Sequence, residues 1–178
     1  MWALVEDNNV TQVFTRPKAL TIGENQYQAN IFNLWSTSEL EALGIYAVVQ
    51  DDSNKKDKKY YKNTEQTFSF SDGTVTASYG TATAKDLAML KTEHKERINA
   101  QAGSLLAQYD WYTLRAADGG TAVPSNVATY RTAVRAKANE MCTKIDGAAD
   151  VDELADLYLP TGNPPAVDRL GEWPTLGS

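Results

Sequence analysis

The sequence is poor in the residues that build most catalytic and metal centres. Its 178 residues include one cysteine, Cys142, and one histidine, His94. A single cysteine excludes an internal disulfide framework and any site with several thiolate ligands. A single histidine excludes zinc and non-haem iron sites that use several imidazoles. Because the motifs of phosphate-binding loops and nucleophile elbows are also missing, we expect no cofactor, no metal and no catalytic residue.

Long apolar runs and a basic charge balance are missing too. No stretch approaches the roughly 18 apolar residues of a membrane-spanning helix, so we expect no membrane insertion. The net charge of −6 and the pI near 4.8 argue against nucleic-acid binding, which needs a positive surface. The first residues, Met1–Glu6, lack the basic and apolar regions of a signal peptide.

Large aliphatic side chains are few as well. Leu, Ile, Val and Phe together number 35, whereas alanine alone contributes 23 residues. This is close to the lower edge for a self-sufficient core, so we expect a folded chain whose thin core is completed by a partner. Four tryptophans and nine tyrosines provide large anchors for either kind of packing.

The first half of the chain has the pattern of strands and tight turns. Residues 7–9 and 71–73 are Asp, Asn, Ser and Gly between alternating segments, which predicts two hairpins. Ser36 and Glu39 form a capping box, and Gly44 supplies a stop, so one short helix is expected between the hairpins. Residues 1–84 are therefore predicted to be a small antiparallel β-rich docking domain.

The second half has helical periodicity. One apolar stripe comprises Leu87, Leu90, His94, Ile98, Ala102, Leu105 and Tyr109, and a second comprises Val127, Tyr130, Val134, Met141 and Ile145. The break at 118–120 separates two long helices, which predicts an αα-hairpin domain over residues 85–159. Residues 160–178 are rich in proline and glycine and are predicted to form an extended arm. The fold class expected is α+β.

Two residues whose side chains could take part in catalysis have ordinary structural interpretations. His94, close to Glu93 and Glu96, could act as a general base, but it lies on the apolar stripe of a helix. Cys142 could act as a nucleophile, but it lies in the middle of a helix, away from the N-terminus that would lower its pKa. Both positions favour packed side chains over catalysis, so we predict that the protein is not an enzyme.

A lysine-rich segment leaves two interpretations open. It is either a solvated loop, since Asp51, Asp52 and Asp57 dilute its charge, or a surface that contacts a glycan or another partner. The residues of the second interpretation are Lys55, Lys56, Lys58, Lys59, Tyr60 and Tyr61.

Polar and aromatic residues of the helical half suggest contacts at its ends. Asp110 and Arg131 are placed to form an ion pair across the hairpin, which would fix the hairpin itself. Arg135 shares a helix face with Arg131. Trp111 follows the end of the first helix, a usual place for a core residue. Trp173 lies in the arm, which either folds back on the helices or anchors in another subunit.

The helical half resembles the family of phage tail assembly chaperones encoded near tail-fibre genes. The resemblance covers about residues 90–145 and the C-terminus, roughly half of the chain. The matching segments are Arg97-Ile98-Asn99, Leu105-Leu106-Ala107, Asp110-Trp111, Tyr130-Arg131-Thr132-Ala133-Val134-Arg135 and Trp173-Pro174-Thr175.

The resemblance implies a non-enzymatic role in the tail. The expected partners are phage tail-fibre or baseplate proteins, with several copies per tail, either in the virion tail or in the host cytoplasm during assembly. The residues expected to contact a partner are Trp111, Tyr130, Arg131, Arg135 and Trp173. The alternative is a host-receptor module of the tail that binds glycan through the lysine-rich segment.

Overall fold

The computed structural model describes residues 1–159 and 169–177. The chain divides into two compact units, Met1–Thr83 and Ala84–Ser178. The first is built around a sheet and the second around long helices, so the expected α+β class is confirmed. Residues 160–168 and 178 of the predicted arm lie outside the described residues.

Strands and two short helices make up the first part of the chain. In order they are β1 Trp2–Glu6, β2 Asn9–Phe14, β3 Leu20–Ile22, β4 Asn25–Tyr27, α1 Ile31–Leu34, α2 Thr37–Ala42, β5 Ile45–Asp51, β6 Tyr61–Lys62, β7 Gln66–Ser71, β8 Thr74–Tyr79 and β9 Thr83–Ala84. Five of them form one sheet in the order β2-β1-β5-β8-β7, while β3 pairs with β4 and β6 with β9.

The sheet is mostly antiparallel, as expected, and contains one parallel pair. Both predicted hairpins are present, but β5 pairs with β8 in parallel. The second hairpin therefore places its later strand in the sheet interior and β7 at the edge. Burial gives the physical reason, because Val75 and Ala77 of β8 are fully buried, whereas no residue of β7 is. A strand with a fully buried face is stabilised most at a central position.

The core of the β unit is small and depends on aromatic packing. Phe32 of α1 lies 5.1 Å from Trp2 and 5.6 Å from Phe14, measured between ring centroids. Aliphatic side chains complete the cluster, namely Leu4, Leu20, Ile31, Leu40 and Ile45. Three large rings thus supply much of the burial that the scarce aliphatic residues cannot.

The predicted capping box starts α2. The Ser36 hydroxyl accepts a hydrogen bond from the Glu39 amide at 3.4 Å, and the Glu39 carboxylate accepts from the Ser36 amide at 2.8 Å. The hydrogen bonds from Ser36 lower the pKa of Glu39. Gly44 then turns the chain into β5 with a φ of +80°. The local signals of Ser36, Glu39 and Gly44 are therefore confirmed.

The second unit is a helical hairpin with two additional helices. The elements are α3 Leu87–Ala107, α4 Asp110–Ala117, α5 Ser125–Gly147 and α6 Val151–Asp156. The predicted stripes of α3 and α5 are buried, from Leu90 to Ala102 and from Val127 to Ile145. Lys95 bonds Asp146 at 2.7 Å near one end and Arg131 bonds the Leu106 carbonyl at 2.9 Å near the other, so α3 and α5 run antiparallel.

Helix α4 was not expected, because the sequence analysis assigned an irregular connection between the long helices. It begins three residues after α3 ends, and Tyr109, expected on the α3 stripe, lies between the two helices. Residues 118–124 contain no regular element, in agreement with the predicted break.

The described part of the arm lies on its own helical unit. Leu170 is buried, and its amide donates a hydrogen bond to the Leu157 carbonyl at 2.9 Å. The Trp173 indole donates to the Gln101 side chain at 3.2 Å, and Asn126 donates to the Gly177 carbonyl at 3.4 Å. Of the two alternatives for Trp173, the structure has the one in which residues 169–177 fold back.

We expect Gly44→Ala to destabilise the β unit more than Gly73→Ala. Both glycines have positive φ, which costs an alanine roughly 1–2 kcal/mol. At Gly44 the new Cβ would also lie 2.6 Å from the Val5 carbonyl oxygen, whereas at Gly73 nothing lies within 4 Å. The expected losses are about 3 kcal/mol at Gly44 and about 1 kcal/mol at Gly73. Urea unfolding followed through β1 amide resonances measures both, and equal losses would contradict the role assigned to Val5.

Candidate functional site

The junction of α3, α4 and α5 is held by one buried arginine. Arg131 of α5 has 8% of its surface exposed. Its guanidinium donates to the Leu106 carbonyl at 2.9 Å and pairs with the Asp110 carboxylate at 2.8 Å. The expected pair between Asp110 and Arg131 is therefore present. Because Leu106 belongs to the last turn of α3 and Asp110 is the first residue of α4, this single side chain links three helices.

Aromatic packing reinforces the same junction. Tyr109, between α3 and α4, meets Tyr130 of α5 edge to face, with 5.4 Å between ring centroids. Tyr130 is buried. Of the five residues expected to contact a partner, Tyr130 and Arg131 thus lie inside the helical unit. They position the surface residues around them.

The outward side of α4 is apolar and exposed. No residue of this helix is buried, and Trp111 and Leu114 have 50% and 66% of their surfaces exposed. Trp111 stacks on Tyr112 with 3.7 Å between centroids, and the Arg115 guanidinium lies 4.8 Å from the Trp111 ring and 5.3 Å from the Tyr112 ring. We call Trp111, Tyr112, Leu114 and Arg115 the α4 face. It is the candidate functional site.

Spacing alone could have indicated this face. Trp111, Leu114 and Arg115 stand at positions i, i+3 and i+4, which lie on one side of a helix. Trp111 is one of the residues expected to contact a partner, and its exposure agrees with that expectation, whereas the core position usual for a tryptophan after a helix end is not observed. None of the eight residues of α4 is buried.

Arg135 and Trp173 lie on other parts of the helical unit. Arg135 is exposed one turn beyond Arg131 on α5 and forms no ion pair within the described residues. Trp173 and Pro174 border a groove of about 680 Å³ whose other walls come mainly from α5. Trp173 is partly buried there, so part of its side chain holds the arm against the helices and the rest is accessible to a partner.

The lysine-rich segment is largely engaged with its own tyrosines. Lys55 lies over Tyr79, Lys56 over Tyr61 and Lys59 over Tyr60, each at 5.2–5.4 Å from the ring centroid. Lys55 also pairs with Asp52 at 3.2 Å. Tyr60 has only 5% of its surface exposed, which leaves no open ring face for stacking on a sugar. Lys58 is exposed. These contacts favour the structural interpretation of the segment.

The residues with catalytic potential are also packed. His94 is buried, and its Nδ1 lies 2.6 Å from the Tyr158 hydroxyl, a partner 64 residues away that no sequence spacing indicated. Partial burial raises the pKa of the Cys142 thiol, the opposite of the shift that activates a cysteine nucleophile. Within residues 1–159 and 169–177, no group of three potential metal ligands occurs, and no helix is long and apolar enough to cross a membrane.

Comparison with known proteins identified no relative of this chain. No family model, no curated protein and no solved structure matches the chain. The α4 face is therefore the feature of the molecule from which a function can be inferred.

We expect Arg131→Met to destabilise the helical unit and Arg135→Met to leave it nearly unchanged. Loss of the Arg131 guanidinium removes a charged donor from the Leu106 carbonyl, a contribution of about 2 kcal/mol. The pair with half-exposed Asp110 adds little, since solvent screens it. Arg135 is exposed, so its loss costs less than about 0.5 kcal/mol. Urea unfolding followed by circular dichroism at the helix band compares the two, and similar midpoints would refute the structural role of Arg131.

Proposed function

We propose that the protein is a non-enzymatic bacteriophage tail protein that binds tail-fibre or baseplate components. It acts either as a connector that stays in the virion or as an assembly factor that departs. The observation that carries the binding role is the α4 face, where Trp111 and Leu114 are exposed on a helix without a single buried residue. The tail assignment comes from the resemblance of the helical half to tail assembly chaperones.

The composition of the α4 face supports a protein partner. Tryptophan, tyrosine and arginine are the residues that contribute most to binding energy in protein interfaces. Here Trp111, Tyr112 and Arg115 form one stack. A ring stacked on its neighbours has little rotational freedom left to lose, so it can be buried by a partner at a small entropic cost.

The attachment of the α4 face to the helical hairpin also favours binding. An isolated helix of eight residues is unstable in water, because nucleation is costly and few hydrogen bonds repay it. Helix α4 is instead held at its first residue through Asp110 and Arg131. The face is therefore attached to the folded hairpin at its start, where Tyr109 also packs on Tyr130, and this attachment favours recognition by surface complementarity.

The mechanism proposed is a scaffold that presents one side to a partner. Several copies would act together on a fibre or baseplate, because such assemblies are symmetric and repeat the same contact. His94 supports binding over catalysis, since it is buried and its ring is engaged by the Tyr158 hydroxyl.

Mass spectrometry of purified virions, quantified against the major capsid protein, tests the proposal. Stoichiometric presence would identify a structural tail component. Absence from virions, together with copurification with fibre protein from infected cells, would identify an assembly factor. Absence from both refutes the tail assignment. Binding of the isolated protein to host glycans that depends on Lys55 and Lys58 would favour the receptor-binding alternative.

We expect Trp111→Ala combined with Leu114→Ala to reduce copurification with the tail partner at least tenfold. These two side chains form the apolar part of the α4 face, and neither contributes to the core, so folding is retained. Met89→Ala is the matched control, because Met89 is an equally exposed apolar residue, with 65% of its surface accessible, in the first turn of α3. Equal recovery of the double variant and the control would assign partner binding to another surface.

A further inference from the structure

Charge is unevenly distributed along the helical hairpin. Residues 97–139 form the end that carries α4, and we call them the hairpin tip. Its cations are Arg97, Arg115, Arg131, Arg135 and Lys137, and its carboxylates are Asp110 and Asp118. Residues 85–96 and 140–159 form the opposite end, the hairpin base. Its cations are Lys85, Lys91, Lys95 and Lys144, and its carboxylates are Asp86, Glu93, Glu96, Glu140, Asp146, Asp150, Asp152, Glu153 and Asp156. The tip is therefore positive in a chain that is acidic overall.

Three of the tip arginines have no counterion among the described residues. Arg131 pairs with Asp110 and Lys137 with Glu140, at 2.8 and 3.2 Å. Arg97, Arg115 and Arg135 form no ion pair within residues 1–159 and 169–177. Arginine is the side chain best suited to bind a carboxylate in two parallel hydrogen bonds. The tip thus offers cationic groups whose charge the described chain leaves uncompensated.

Arg115 is the one of these three that belongs to the α4 face. Its guanidinium is held beside both Trp111 and Tyr112, and its buried Nε has no hydrogen-bond acceptor among the described residues. The rings restrict the position of the guanidinium. A carboxylate that approached it would meet a cation already fixed next to the exposed apolar surface of Trp111 and Leu114.

We propose that the α4 face binds an acidic amphipathic segment of a partner protein. Apolar side chains of the segment cover Trp111 and Leu114, and a carboxylate of the segment pairs with Arg115. This inference rests on the proposed binding role of the α4 face and adds the chemistry of the partner. A second copy bound face to face is disfavoured, because it would bring two positive tips together.

Two synthetic peptides of equal length test the proposal on the full-length protein. One is an amphipathic helix of Glu, Ala and Leu, and the other has Lys in place of every Glu. Fluorescence polarisation of the labelled peptides measures affinity, and two-dimensional amide and indole resonances locate the contact. We expect the acidic peptide to bind at least tenfold more tightly than the basic one and to shift the Trp111 indole signal. Its affinity should fall as salt is raised from about 0.05 to 0.3 M, since exposed ion pairs are screened.

A charge reversal sharpens the test. Arg115→Glu should lower the affinity for the acidic peptide at least tenfold and raise the affinity for the basic peptide. Lys62→Glu is the control, because it makes the same change of charge at an exposed residue of the β unit. Arg115→Gln, which removes the charge without reversing it, gives an intermediate loss, and the resonances of each variant report whether it folds.

Several results would overturn the proposal. Equal affinity for both peptides, absence of binding, or resonance shifts away from α4 each exclude an acidic partner at this face. Tighter binding of single-stranded DNA than of the acidic peptide would assign the tip to nucleic acid. Concentration-dependent dimers that Trp111→Ala abolishes would assign the face to a second copy. Failure of the peptide test beside stoichiometric presence in virions would leave the tail assignment intact and change only the chemistry of the contact.

Discussion

The guanidinium of Arg131 is the contact on which the geometry of the candidate site depends. Helix α3 ends at Ala107, and the Leu106 carbonyl in its last turn accepts a hydrogen bond from the Tyr109 amide at 3.0 Å. Arg131 supplies a second donor to this carbonyl and at the same time pairs with the carboxylate of Asp110, the first residue of α4. Both contacts come from one guanidinium nitrogen, Nη1, so a single donor group joins α5 to the end of α3 and the start of α4. The direction in which α4 leaves the hairpin therefore follows from one side chain of α5.

This arrangement explains why α4 can stay exposed. Most helices of this length persist because an apolar side packs on a core. In α4 the stabilising contacts are at its ends and along its own surface, where Trp111, Tyr112 and Arg115 stack on one another. The core is meanwhile completed by other residues, including Leu170 from the C-terminal segment. An exposed tryptophan in a chain with so few large apolar residues is consistent with a surface that a partner covers.

The features that the sequence predicted are those with local physical causes. The Asp7-Asn8 turn, the Ser36 and Glu39 capping box and the stripes of α3 and α5 each depend on residues within a few positions of one another. The pairing of Asp110 with Arg131 was also foreseen, because the two helices of a hairpin bring such residues together. Each of these features is stabilised by interactions within a short segment or by one contact that the hairpin makes predictable.

The features that escaped prediction depend on competition between distant segments. Whether β7 or β8 lies beside β5 is decided by the burial of Val75 and Ala77 in the assembled sheet, not by the turn between the two strands. The burial of Tyr60 and the contact of Tyr158 with His94 likewise need the whole fold. For Trp111 the sequence leaves both a core position and a partner contact open, because burial cannot be inferred for a residue in a connection, and the fold leaves 50% of its surface exposed.

The charge distribution of the hairpin adds a constraint on assembly. The base stays acidic although some of its charges are paired, such as Lys95 with Asp146 at 2.7 Å, whereas the tip has arginines that form no ion pair in the described part of the chain. Two copies that approach tip to tip repel each other, and so do two copies that approach base to base. This repulsion disfavours contacts between like ends of two copies, whereas a carboxylate-rich surface of a partner is attracted to the tip.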